Sequence, residues 1–282
     1  MRDARNLPSS PNVFAQPVQP ARSAQSPRRR SSFAMAVTAA CLVASLAGCA
    51  FLPDSGSAPA TGERPEGFVA LKSVAPEIAQ DLRYHGSNNL LGRPLAGYEA
   101  PVCLLTEPAA KAMQAVQAGV QRHGLALKVF DCYRPQAAVD DLLRWSRDTR
   151  PQADEQKTQS AYHPNLAKAQ LEQRGFITPQ SSHSRGSAVD LTLVVTDAVR
   201  AAQVLQGPLA QGEDLDLGTP YGLMDASALG HSDVVSPDVK HNRAWLRGQM
   251  QQHGLVPEDG RWWHFKLQSE PHPKRAFNFP VR

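Results

Sequence analysis

Several features that would assign a chain to a class at once are scarce in this sequence. It has no internal repeat, which excludes a solenoid or propeller. The uncharged apolar run from Phe33 to Leu46 is shorter than the roughly 20 residues that a membrane-spanning helix needs. There is no CxxC spacing, so a thiolate metal site is not indicated. With 282 residues, 41% of them hydrophobic, the chain is instead long and apolar enough to bury a sizeable core.

Beyond its first 48 residues, the chain carries almost no net charge. The formal charge is +4, but residues 1–48 contain six arginines and one aspartate and so carry +5, which leaves −1 for residues 49–282. A surface that follows nucleic-acid phosphates needs positive charge on the folded part of the protein. We therefore expect no nucleic-acid partner.

The positive charge belongs to a leader that is typical of an export signal. Arginines 28–30 precede the apolar run, which ends in Leu46-Ala47-Gly48-Cys49. This ending resembles the lipobox of bacterial lipoproteins, in which cleavage before the cysteine leaves a lipid-modified Cys49 at the new N-terminus. The alternative is an ordinary signal peptide cut near Ala47. The lipobox interpretation predicts a periplasmic lipoprotein held to the membrane by the lipid on Cys49.

The composition divides the chain into three parts. We expect a leader at 1–48, a flexible tether at 49–66 and a folded domain at 67–282, because the residues after Cys49 are rich in Pro, Gly, Ser and Ala. Two cysteines remain in the domain, Cys103 and Cys132. An exported domain permits one disulfide, but two buried free thiols fit the spacing equally well.

The order of the predicted elements favours an α+β fold. Helices come early and strands late, without the alternation of a doubly wound sheet. Residues 148–163 are polar and are predicted to form a loop. The predicted helices are one capped by Thr106 and stopped at Gly124, then 136–145, 166–173 and 238–253; the predicted strands are 126–130, 188–195 and 262–267.

Residues suited to metal chemistry concentrate in two short stretches. In 181–190, SSHSRGSAVD, His183 precedes Asp190 by seven residues, and in 262–265, WWHF, His264 lies on a predicted strand. A lone buried histidine is more often structural, but two imidazoles and a carboxylate together are a ligand set suited to zinc. Three protein ligands with an open fourth position are the form of a catalytic zinc site.

Several ordered segments resemble the VanX-type D-alanyl-D-alanine dipeptidases, within the wider D,D-peptidase group of zinc enzymes. The stretch SSHSRGSAVDLTL is very close to the family signature. The other matching segments are Asp81-Leu82-Arg83-Tyr84, Asn88-Asn89, Gly97-Tyr98, Val129-Phe130-Asp131-Cys132-Tyr133-Arg134-Pro135, Asp216-Leu217-Gly218-Thr219-Pro220, Asn242-Arg243 and Trp262-Trp263-His264-Phe265.

The resemblance implies a fold, a metal and residue roles. The fold would be a single hedgehog/D,D-peptidase-like domain with a central, mainly antiparallel sheet flanked by helices and the zinc site on the sheet. His183, Asp190 and His264 fall on the family's ligands for one Zn²⁺ per chain. Arg134 falls on an arginine that stabilises the transition state, which agrees with the negative charge that peptide hydrolysis builds on a carbonyl oxygen. The implied substrate is D-alanyl-D-alanine or a related cell-wall peptide.

The sequence departs from the family at the general base. The family pattern is Glu-Trp-Trp-His, and Arg261 stands where that Glu belongs. An arginine is always protonated and cannot accept a proton. Glu258 and Asp259, shortly upstream, are the candidate substitutes, and we take Glu258 as the better one.

Three functions follow as hypotheses. The first is zinc-dependent hydrolysis of D-alanyl-D-alanine in the periplasm, for wall recycling or D-alanine scavenging. The second, motivated by Arg261, is a catalytically weakened or inactive relative that binds zinc and peptidoglycan fragments. The third is a D,D- or L,D-peptidase acting on longer muropeptides, because Tyr221-Gly222 replaces the Phe-Asp that the family often has after its Gly-Thr-Pro turn.

Overall fold

A computed structural model describes residues 60–150, 152, 154–258 and 260–282, and all of them belong to one compact unit. The leader, Cys49, most of the tether and Asp259 lie outside the described residues, so the predictions made for them stay predictions. None of the helices in the described ranges is long and apolar enough to cross a membrane.

The described chain contains seven strands and seven α-helices. The strands are β1 (Phe68–Ala70), β2 (Ala79–Gln80), β3 (Leu104–Thr106), β4 (Leu125–Asp131), β5 (Ala188–Val195), β6 (Leu255–Pro257) and β7 (His264–Leu267). The helices are α1 (Leu71–Val74), α2 (Glu107–Gln121), α3 (Gln136–Arg147), α4 (Glu155–Tyr162), α5 (Lys168–Gln173), α6 (Ala198–Ala201) and α7 (Pro237–Gln252).

The main sheet has five strands in the order β2-β4-β5-β7-β6. Only the β2–β4 pair is parallel; the other three pairs are antiparallel. A second, two-stranded sheet joins β1 and β3. The predicted α+β fold with a central, mainly antiparallel sheet flanked by helices is therefore confirmed.

Helix α2 shows how the sequence builds the core beneath this sheet. Its apolar positions recur at helical spacing and are buried, among them Met113 and Val116. The chain then turns at Gly124, which has φ +72°, and a Cβ there would lie 2.5 Å from the backbone oxygen of Asp197. Only glycine fits this turn into β4. Gln117 supports the same junction, because its Oε1 accepts a hydrogen bond from the Leu127 amide.

Three details of the predicted secondary structure were wrong. Thr106 precedes helix α2 but does not cap it with its side chain, because its hydroxyl is hydrogen-bonded to Ser187 Oγ at 2.7 Å. Residues 155–162, predicted as part of a loop, form helix α4, which is held from outside: Tyr162 donates to Asn88 Oδ1 at 2.8 Å, and its carbonyl accepts from the Met224 amide. The last strand begins at His264 rather than at residue 262, although the Trp263 carbonyl still accepts a hydrogen bond from the Leu191 amide of β5.

Cys103 and Cys132 form a disulfide, which settles the alternative that the spacing left open. Both residues are buried, Cys103 just before β3 and Cys132 just after β4. The bond ties the small sheet to the end of the main sheet, beside the segment that carries Arg134.

Candidate metal centre

Two neighbouring strands and one short turn bring the three predicted metal ligands together. His183 lies in the 3₁₀ turn Ser182–Arg185, and Asp190 lies on β5, where it stands directly opposite His264 of β7 in the antiparallel register. Gly186 makes the reversal between turn and strand: it has φ +80°, and a Cβ there would lie 2.2 Å from the ring of Phe68.

The ligand atoms of the three residues all lie within 4.8 Å of one another. Asp190 Oδ1 is 2.7 Å from His264 Nδ1 and 3.3 Å from His183 Nε2, and the two nitrogens are 3.1 Å apart. All three residues are buried. This is the cluster that the sequence predicted.

The far nitrogen of His183 fixes the tautomer of its ring. His183 Nδ1 lies 2.6 Å from the backbone oxygen of Cys132, which can only accept a hydrogen bond. Nδ1 therefore carries the proton and donates it, and the lone pair of Nε2 faces Asp190 and His264. Cys132 therefore both forms the disulfide and accepts the hydrogen bond that orients the His183 ring.

The far nitrogen of His264 faces a hydroxyl and a carboxylate. Its Nε2 lies 3.1 Å from Ser182 Oγ and 3.4 Å from Glu258 Oε2. Glu258 also pairs with Lys266 Nζ at 2.6 Å. Burial raises the pKa of Glu258, but its hydrogen bonds with His264, Lys266 and Ser182 outweigh burial and hold the pKa below its usual value. The structure thus places Glu258 on the side of His264 that faces away from Asp190, where a carboxylate orients an imidazole.

Asp190 is held at its second oxygen. Tyr221 donates a hydrogen bond to Asp190 Oδ2 at 2.9 Å and stacks on Phe130 with ring centroids 4.4 Å apart. Burial raises the pKa of Asp190, but the His183 and His264 rings lower it by more, so the net pKa lies well below its ordinary value.

The donor set fits a metal ion. In the tautomers that carry the proton on both outer nitrogens, His183 Nε2, His264 Nδ1 and Asp190 Oδ1 are three acceptors that lie 2.7 to 3.3 Å from one another. Three acceptors this close repel one another unless a cation lies among them. Two imidazole nitrogens and a carboxylate oxygen are a common catalytic zinc set.

Arg134 is fixed at the edge of this cluster. Its Nε and Nη2 donate to Asp131 Oδ2 at 3.0 and 2.7 Å, and its guanidinium lies 4.8 Å from the Tyr84 ring centroid. Nη2 is 4.0 Å from Asp190 Oδ2. Asp131 is itself held, because Tyr98 donates to its Oδ1 at 2.6 Å.

Arg261 lines the same cavity as the cluster and Arg134. Its Nη2 donates to the backbone oxygens of Phe176 and Gly175 at 3.1 and 3.4 Å. Among the described residues that line the cavity, Asp190 is the only carboxylate. The departure seen in the sequence therefore places a cation at the site.

The sequence predicted the ligand cluster but missed the groups that orient it. The Tyr221 hydroxyl was considered only as a change to the pocket, and the Cys132 carbonyl carries no residue-type signal at all. Glu258 was singled out by its closeness to the family's base position, and no spacing rule shows which nitrogen of His264 it faces.

Comparisons with known proteins identify relatives of this chain. The Peptidase_M15 family, described as D-ala-D-ala dipeptidase, matches residues 64–282. A D-alanyl-D-alanine dipeptidase of Enterococcus faecalis is 33% identical over 215 residues, which is 76% of this chain and 98% of that protein. One from Streptomyces coelicolor is 33% identical over 216 residues, with 76% and 98% covered.

A solved structure is similar at a lower level. The LdcB LD-carboxypeptidase aligns over 74% of this chain and 71% of that chain, with 11% identity and a TM-score of 0.37, a likeness too weak to bear on function. The family match and the two dipeptidases decide the lineage: this chain belongs to the D-Ala-D-Ala dipeptidase family of zinc metallopeptidases.

Proposed function

We propose that this protein binds one zinc ion through His183, Asp190 and His264 and hydrolyses D-alanyl-D-alanine to D-alanine. The observation that carries the proposal is the convergence of two imidazole nitrogens and one carboxylate oxygen in a buried cluster formed by β5, β7 and the turn before β5. The family relationship supplies the substrate, since the relatives are D-alanyl-D-alanine dipeptidases.

The three ligands prepare the site before any substrate arrives. A bound zinc ion supplies Lewis acidity, which polarises a peptide carbonyl and makes water a stronger acid. The residues around it keep each ligand atom in place: the Cys132 carbonyl for His183, and Glu258 for His264. Such outer contacts typically change metal affinity by about 10–100-fold.

Arg134 is suited to stabilising the reaction's negative charge. Attack on a peptide carbonyl leaves that charge on the carbonyl oxygen. Asp131 and the face of Tyr84 hold the guanidinium in one orientation, so little reorganisation is needed when the charge forms. We assign Arg134 the role of transition-state stabiliser.

Proton transfer is the step for which the cavity offers no evident group. The only carboxylate among the described lining residues is a metal ligand, and the place of the family's base is taken by Arg261. General-base catalysis typically contributes about 10²–10⁴-fold. This observation favours a second candidate function, a slow or inactive relative that binds zinc and wall peptides.

We also propose that the protein works in the periplasm as a lipoprotein. The lipobox-like ending at Cys49 supports this location, and so does the Cys103–Cys132 disulfide, because structural disulfides persist in oxidising compartments. Cys49→Ser should move the protein from the membrane fraction to the soluble periplasmic fraction, since lipidation needs the thiol. Wild-type protein recovered from the cytoplasm would contradict both parts of this proposal.

The primary test measures zinc and turnover on the same samples. The purified wild-type domain should hold about one zinc per chain and release D-alanine from D-alanyl-D-alanine, and His183→Ala should lose both. His123→Ala is a matched control, because that histidine packs against Trp245 outside the cavity. Full zinc content in a His183→Ala, His264→Ala double variant would refute the site.

Arg261→Glu separates a weakened enzyme from a binding protein. It restores a proton acceptor and removes a positive charge beside the metal, so we expect the rate on D-alanyl-D-alanine to rise by about 10²-fold or more. If Asp259 already serves as base, wild-type turnover is substantial and Asp259→Asn abolishes it. If neither wild type nor Arg261→Glu turns over while both bind zinc and dipeptide, the binding function stands and the dipeptidase does not.

A further inference from the structure

A second cavity opens beside the metal centre and shares part of its wall. Gly175, Phe176, Met224 and Arg261 line both cavities. The first cavity contains the ligand cluster and Arg134, and the second extends away from them. Arg261 therefore lies at the junction of the two cavities. A peptide that extends from the first cavity into the second would run past its side chain.

The guanidinium of Arg261 is held in place without being neutralised. Its described hydrogen bonds go to the backbone oxygens of Gly175 and Phe176, and the guanidinium lies 5.6 Å from the Phe176 ring centroid. Its Nε is buried and has no hydrogen-bond partner in the described part of the chain. No carboxylate of the described residues forms an ion pair with it, so a full positive charge and an unused donor remain at the junction.

Of the other charged groups around the two cavities, Arg134 and Asp225 have partners, and Arg174 lines only the second cavity. Arg134 is paired with Asp131. In the second cavity, Asp225 accepts hydrogen bonds from Asn165 at 3.0 Å and from the Ser227 hydroxyl at 2.7 Å. Among the described residues, Arg261 is the one cation that lines both cavities, and a planar guanidinium is the side chain that recognises a carboxylate most specifically.

We infer that Arg261 is a substrate-binding residue that pairs with a side-chain carboxylate of an acidic peptide. On this inference, which rests on the proposed peptidase function, the arginine at the base position sets substrate choice. The chemical class is a cell-wall-type peptide with an acidic residue next to the scissile bond, whose carboxylate reaches the junction of the two cavities.

The test compares an acidic peptide with its neutral isostere. D-alanyl-D-glutamate and D-alanyl-D-glutamine are titrated by calorimetry into chelator-treated protein, and kcat/KM is measured on zinc-loaded protein. Wild type should prefer the acidic peptide by about tenfold or more, and Arg261→Gln should bring that preference to within about twofold. Arg261→Lys should keep part of it, and thermal melts verify that each variant is folded.

Two controls make the outcome decisive. Arg174→Gln removes the same charge from a residue that lines only the second cavity, so it should keep most of the preference. An equal loss of the acidic preference in both variants would show that only the overall positive charge matters, and would overturn the inference. Equal binding of the acidic and the neutral peptide by the wild type would overturn it as well. The second control compares D-alanyl-D-alanine with its C-terminal amide. If Arg261→Gln abolishes only the preference for the free carboxylate over the amide, the arginine binds the main-chain carboxylate and the inferred contact with an acidic side chain is refuted. Calorimetry without zinc keeps this result independent of whether the dipeptide is hydrolysed.

Discussion

Removal of the Cys103–Cys132 disulfide should lower both the stability of the domain and its affinity for metal. The two cysteines are 29 residues apart, and closing a loop of that length in the unfolded chain is worth about 3.5 kcal/mol at 25 °C. For a domain of this size each kcal/mol corresponds to roughly 2–4 °C, so a Cys103→Ala, Cys132→Ala variant should melt roughly 7–14 °C below wild type. The Cys132 carbonyl also holds His183, so zinc affinity should fall by up to about tenfold.

The assay separates the two effects. Thermal melts of chelator-treated protein measure the loss of stability without the contribution of zinc. Zinc titration well below both melting temperatures measures the change in zinc affinity. Intact mass must first show that the wild type is two hydrogens lighter than its reduced form. A melting temperature within about 3 °C of wild type would refute the loop-closure reasoning. Unchanged zinc affinity would show that the Cys132 carbonyl keeps its place without the disulfide.

Three further changes test the groups that surround the ligands and the core. Tyr221→Phe removes the hydroxyl that holds a ligand carboxylate, so zinc should bind about tenfold more weakly while the melting temperature of metal-free protein changes little. Glu258→Gln should weaken zinc binding through His264, and turnover should recover at saturating zinc; a loss that zinc does not restore would make Glu258 the base. Asp141→Asn should destabilise the domain by roughly 1–3 kcal/mol at pH 7. Burial raises the Asp141 pKa, but the hydrogen bonds from Arg93 outweigh it and leave the pKa lowered, so this difference in unfolding free energy should shrink below about pH 4, as the carboxyl protonates.

Elements with strong periodicity or strong boundary residues could be predicted from sequence. Strand β5 was predicted with its observed limits, because it is an apolar, β-branched run that starts directly after a turn. Helix α2 was predicted from one apolar stripe between Pro108 and Gly124. Proline at the start of a helix and glycine after its end act through their own backbone conformations, so both boundaries can be predicted from the sequence. The ligand cluster was predictable because two short stretches together offered two imidazoles and a carboxylate, and because both stretches resemble segments of the dipeptidase family.

What sequence could not show depends on contacts between distant segments. Helix α4 is polar on most of its surface and is fixed by Asn88 and Met224, so it has no internal pattern to detect. The disulfide could not be predicted, because the distance between β3 and β4 cannot be inferred from the sequence. The side of His264 that Glu258 faces was equally hidden, because it depends on how β6 and β7 are joined and not on the three-residue offset from Arg261.

Arg261 is the residue at which the two proposals for this protein meet, and one substitution tests them through two separate changes. Its guanidinium is directed to the Gly175 and Phe176 carbonyls, so its charge stays at the cavity junction. Replacement by glutamate should raise turnover of neutral D-alanyl-D-alanine, because a proton acceptor returns beside the metal ligands. The same replacement should reverse the preference for D-alanyl-D-glutamate over D-alanyl-D-glutamine, because two carboxylates would then face each other. A gain on the neutral dipeptide with an unchanged acidic preference would leave Arg261 as only a lost base; a reversed preference with no gain would leave it as only a binding residue.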